Sequence, residues 1–72
     1  MNSVQKELHK KIFEANHIVM FDDVYELLCY DDIEGWYELK LKGEHYYEKI
    51  TPRELDLWYH EDNIKLYKMV EL

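Results

Sequence analysis

The side chains able to act as nucleophiles are Ser3, Cys29 and Thr51, and those able to serve them as bases are His9, His17, His45 and His60. Ser3 and Thr51 stand where helices would begin, which gives their hydroxyls a capping task. Cys29 sits in the apolar run "VYELLCY", where a packed thiol is raised in pKa and inert. The histidines form no His-x-His or His-x3-His pair and a lone cysteine makes no zinc knuckle, so no zinc ligand set is present. "DDIEG" offers oxygens beside a glycine but lacks the alternating acids and distant glutamate of a calcium loop. Gly35 and Gly43 are too few for a phosphate-cradling loop. Sixteen carboxylates ensure that some pair lies close, so two neighbouring acids carry no catalytic signal. These residues predict no metal, no cofactor and no enzyme.

The stretch with a distinct chemical character is "FDDVYELLCYDDIEGWYEL", Phe21 to Leu39. It carries Asp22, Asp23, Glu26, Asp31, Asp32, Glu34 and Glu38 without one Lys or Arg, the equivalent of the whole net charge of −7. Among these acids stand Tyr25, Tyr30, Trp36 and Tyr37. Clustered carboxylates attract a basic partner at long range, and aromatic rings supply contact area at low entropic cost. The candidate partner-binding set is therefore Asp22, Asp23, Glu26, Tyr30, Asp31, Asp32, Glu34, Trp36 and Glu38. The competing reading makes Tyr30 and Trp36 core residues and the acids solvated turn groups.

A rival surface lies downstream. Lys40, Lys42, Lys49 and Arg53, with Tyr46 and Tyr47 among them and Lys65 and Lys68 further on, could line a sheet face with cations and stacking rings for nucleic acid. The net charge opposes this, because phosphate affinity depends on neutralising contacts. These lysines read instead as charges that balance neighbouring acids and protect strand edges, so no direct nucleic-acid binding is expected.

These residues must be positioned by one small domain, 1–72, near the size at which a single core supplies only about 3 to 5 kcal/mol. One cysteine cannot make an internal disulfide, which fits a reducing compartment. No apolar run approaches the roughly 20 residues that span a bilayer, and "MNSVQKELHKKIFEAN" lacks the apolar segment of an export signal. A cytoplasmic protein without membrane contact is expected. Lys outnumbers Arg eight to one and Ala appears once, a skew typical of A- and T-rich coding sequence, as in a low-GC bacterium or its phage.

The periodicities predict an α+β fold: an N-terminal amphipathic helix on a small curved antiparallel sheet of three to five strands, open or curled into a half-open barrel, with a short helix before the last strand. Ser3 is the expected N-cap, and Val4, Leu8, Ile12 and Ala15 form one apolar stripe over residues 4–15. Phe13 falls off that stripe, covered by a neighbouring segment or left for a partner. "IVMF" reads as a buried strand. "VYELLCY" and "WYELKLK" read as a hairpin joined by "DDIEG", with Tyr25, Leu27 and Cys29 facing the same way as Tyr37, Leu39 and Leu41. Val24, Glu26, Leu28, Tyr30, Trp36, Glu38 and Lys40 would then face the other way; a helix from Asp23 is the alternative. "LKGEHYYEKI" is a second hairpin candidate turning at Gly43. "TPRE" is a capping box, with Thr51 as N-cap, Pro52 at the first helical position and Glu54 closing the box, and Leu55, Trp58 and Tyr59 face inward from that helix. "IKLYKMVEL" mixes phases at Leu66, Tyr67 and Met69, so its strand is either buried on both faces or bulged.

In size, charge and composition the chain resembles the small acidic inhibitors that phages make against host proteins, DNA-mimicking and anti-CRISPR proteins among them. No motif along the chain carries this likeness, so it assigns no residue roles. It implies a non-enzymatic protein that binds and inhibits a basic, nucleic-acid-handling protein, in host cytoplasm if phage-encoded. Two other readings stand beside it. One is an oligomer holding a nucleotide between Tyr, Trp and basic side chains; the other is a regulatory subunit that buries its aromatics in a homodimer.

Overall fold

A computed structural model describes residues 1–68 of the chain. Helix α1 (Ser3–Ala15) leads into β1 (Asn16–Met20), β2 (Asp23–Asp31), β3 (Trp36–Leu41), β4 (Tyr47–Ile50), helix α2 (Pro52–His60) and β5 (Ile64–Lys68). The five strands form one antiparallel sheet in the order β4-β3-β2-β1-β5. The sheet is open, with β4 and β5 as its edges, and does not curl into a half-open barrel. Both helices pack on one face.

The α1 cap differs from expectation by one residue. Asn2, not Ser3, accepts from the Gln5 amide at 2.8 Å, and the Gln5 side chain returns the bond at 3.2 Å. Leu8, Ile12 and Ala15 are buried as their spacing predicts, but Val4 lies in the first turn and is 46% exposed. Asn16 then takes a left-handed conformation (φ 69°), ending the helix and starting β1 without an intervening loop. The "TPRE" box forms as predicted: Thr51 Oγ1 accepts from the Glu54 amide at 3.1 Å, and Glu54 accepts from the Thr51 amide at 3.0 Å.

The "VYELLCY" segment is strand, not helix, and pairs with "WYELKL" as the repeat implies. Its register shifts once. Tyr25 opposes Leu41 and Leu27 opposes Leu39, but then Leu28 and Cys29 together oppose Glu38. Because strand side chains alternate, this one-residue β-bulge reverses every later residue of β2. Tyr30, expected outside, turns to the helix side opposite Tyr37, and Cys29, expected inside, turns out and is exposed. The swap brings the larger ring to the core, where Tyr30 packs 4.8 Å from Tyr37 and edge-on to His9.

The core is Leu8, Ile12, Ile18, Met20, Tyr25, Tyr37, Leu39, Ile50, Leu55 and Ile64, with Leu27, Leu41, Trp58, Tyr59 and Leu66 packed around it. "IVMF" contributes Ile18 and Met20, whereas Phe21 leaves the strand for the β1–β2 turn and is largely exposed. In β5 the pairing to β1 runs unbroken from Ile64 to Lys68, so Ile64 and Leu66 face the core and Tyr67 the other side. Met69 lies outside the described residues. Phe13 sits against His9 and Tyr37 and is 41% exposed among the described residues; the C-terminal residues, one of the covers expected for it, lie outside them.

Candidate protein-binding surface

With both helices on one side, the other sheet face has nothing packed on it among the described residues. The register writes out its composition. One row crosses all five strands as Tyr67, His17, Glu26, Lys40 and Tyr47. A second carries Lys65, Val19 and Val24, and a third carries Cys29, Glu38 and Lys49, with Leu28 beside Cys29 on the bulge. Trp36, opposite Asp31, closes the face at the β2–β3 turn.

Around Trp36 the side chains are held in place. Its indole N–H donates to Glu38 Oε1 at 3.4 Å, the Cys29 thiol donates to Glu38 Oε2 at 3.3 Å, and Lys49 Nζ lies 4.6 Å from the Trp36 ring centroid. Glu38 thus fixes both the indole and the thiol, and the bond from Cys29 to Glu38 raises the thiol pKa, with burial and the nearby carboxylates adding to it. The site favours a protonated thiol and a ring presented at fixed orientation.

The β2–β3 turn is ordered by its first residue. Asp31 Oδ1 accepts from the amides of both Ile33 and Glu34 at 3.0 Å, and the Gly35 amide donates to the Asp31 carbonyl at 2.7 Å. Gly35 supplies the positive φ (79°) that closes the loop. The result is a firm tip carrying Asp32 and Glu34, with Ile33 93% exposed between them.

The structure therefore divides the predicted set. Asp31, Asp32, Glu34, Trp36 and Glu38 come together at one end of the open face. Glu26 sits mid-face between His17 and Lys40. Asp22 and Asp23 lie at the opposite end of β2, nine residues long, about 26 Å away at the usual strand rise. Tyr30 is on the reverse face. Charge contiguous in sequence is thus split between two ends, because a strand carries the turns before and after it to opposite ends of the sheet. At the far end Asp22 and Asp23 meet acids from elsewhere, Glu44 across one cleft and Asp62 across another.

Three features of the surface had no sequence signal: the bulge at Leu28, the Lys49–Trp36 contact, and the left-handed Phe21-Asp22 turn, whose residues are not those such turns select. Among the described residues no three His, Cys, Asp or Glu side chains converge to hold a metal ion, and no helix is long and apolar enough to cross a membrane. Comparison with protein-family models, curated proteins and solved structures finds no match.

Proposed function

We propose that this chain is a non-enzymatic binding protein that docks on a basic, nucleic-acid-handling protein and inhibits it. The observation that carries this reading is the sheet face left uncovered among the described residues, ending in a held Trp36 beside the acidic tip of Asp31, Asp32 and Glu34. An indole fixed by Glu38 loses little freedom on binding, and the carboxylates of the tip, within a chain of net charge −7, accelerate encounter with a cationic partner. Ile33 at the tip offers an apolar anchor inside that acidic rim.

Lys40, Lys49 and Lys65 share the open face with Trp36, Tyr47 and Tyr67, the arrangement a stacked single strand would use. Glu26 and Glu38 stand among them, which favours a protein partner over a polyanion. Affinity purification from the natural host at low and high salt identifies the partner. Asp32→Asn with Glu34→Gln should then slow association and flatten its salt dependence, and Trp36→Ala should speed dissociation by about tenfold or more. Unchanged kinetics in both variants, or retention of the protein by single-stranded nucleic acid instead, would overturn the reading.

A further inference from the structure

We infer that the open sheet face receives a second copy of this chain, stacked face to face about a two-fold axis that crosses β3 at Leu39 at right angles to the strands, an occupant independent of the basic partner. The order of side chains along two strands selects this axis. On β3 the outward residues flanking Leu39 are Glu38 and Lys40, and on β4 those flanking Glu48 are Tyr47 and Lys49. Leu39 opposes Glu48 in the register, so both pairs straddle one level of the sheet.

A half-turn about that level lays each strand antiparallel over its own copy. Glu38 then lies over Lys40 of the second copy and Lys40 over its Glu38, while Lys49 lies over its Tyr47, a cation over a ring. Two-fold symmetry makes each of these pairings twice. Sheets stacked in this way stand about 10 Å apart, a gap that Glu and Lys side chains reaching from both sides can bridge. The same axis sends the two acidic tips of Asp31, Asp32 and Glu34 to opposite ends of the dimer. An axis running along the strands would bring them to one end, where they repel.

The charges concerned are uncommitted within one chain. Lys40 stands opposite Glu26 and Lys49 opposite Glu38, yet among the described residues none of the four makes an ion pair, and Lys49 turns instead to the Trp36 ring at 4.6 Å. The three rows of the face hold Lys40, Lys49 and Lys65 against Glu26 and Glu38, which leaves the face at +1 and the rest of the chain at −8. Two such chains repel through the remainder of their surfaces and meet opposite charges here. Leu28, 47% exposed, and Tyr47, 57% exposed, add apolar area beside the half-buried Val19 and Val24. Five strands about 4.8 Å apart and about five residues long give a footprint of roughly 400 Å² per copy, half that of a standard interface, so the dimer is weak and exchanges quickly. Trp36 lies at the margin of the overlap, so a partner that takes it competes with the second copy.

Sedimentation velocity of the full chain from about 20 μM to about 1 mM should show the monomer giving way to a rapidly exchanging dimer, and backbone amide shifts on dilution should centre on Glu26, Glu38, Lys40 and Tyr47 and spare both helices. Glu38→Lys and Lys40→Glu each set like charges across the axis, so each alone should weaken the dimer about tenfold or more. An equimolar mixture of the two variants sets opposite charges at both crossings again, as does the double variant, and both should associate within about threefold of the native chain. That rescue separates the pairing from any effect of Glu38 on Trp36 or on the fold. A chain still monomeric at the highest concentration would overturn the inference. So would a dimer that both single variants retain, shifts centred on either sheet edge, a mixture no more associated than its components, or a dimer that persists for hours after dilution.

Discussion

The hydroxyl of Tyr37 and Nδ1 of His9 lie 2.9 Å apart, a polar bond between sheet and helix inside an otherwise apolar contact. Tyr37 is fully buried, and burial, with the nearby Tyr30, pushes its phenol up to about 12. The folded chain therefore holds this proton where the unfolded chain, with an ordinary value near 10, has released it. The stability so gained is complete below pH 10 and lost as the pH rises towards 12, by roughly 2 to 3 kcal/mol. Alkaline unfolding followed together with phenolate absorbance should show Tyr37 ionising only as the fold is lost, and Tyr37→Phe should remove that share of the pH dependence.

Thr51→Ala should cost about 1 kcal/mol, because it opens the capping box that starts α2 and leaves the Glu54 amide without its acceptor. A chemical denaturation midpoint unchanged from the native chain would show that α2 is held by packing alone.

Cys29 should react fully with a thiol reagent without unfolding, since it lies on the open face. At neutral pH the rate should nevertheless fall below that of the denatured chain, because the Glu38 carboxylate holds the thiol protonated. Glu38→Gln should raise the native rate severalfold. Equal rates in the two proteins would mean that the bond does not control the thiol.

Tyr30 and Trp36, equal candidates by composition, should separate sharply on truncation. Tyr30 packs on His9 and Tyr37, so Tyr30→Ala should cost about 3 kcal/mol or more. Trp36 is half-buried on the opposite face and lies outside the core cluster, so Trp36→Ala should cost less, about 1 to 2 kcal/mol in thermal unfolding.

The difference between those two residues marks how far the sequence could be read. Periods of 3.6 and 2, the Tyr-Glu-Leu repeat, Gly43 and the "TPRE" box each act through near neighbours, and both helices, the hairpins and the last strand follow from them. The bulge does not, because "VYELLCY" is compatible with either face until Tyr37 and His9 supply a pocket for one ring. That choice decides the placement of Tyr30 and Cys29. The acidic segment failed to stay together for a related reason: its spread in space depends on the length of β2, whereas its charge is counted along the chain. Asp62, which belongs with Asp22 at the far cleft, is forty residues away in sequence and visible there only once β5 has paired with β1.

That pairing has a consequence for how the chain assembles. Strands β1 to β4 form a meander in which each partner is the next in sequence, so their closure loops are short; β5 alone must return across the sheet to reach β1. Until it arrives, β1 is an open border exposing the amides of "NHIVM", a run suited to take a strand from any source. A β5 strand from a second copy carries the same sequence and register, so this border is where an exchange of β5 between partly opened chains would take place.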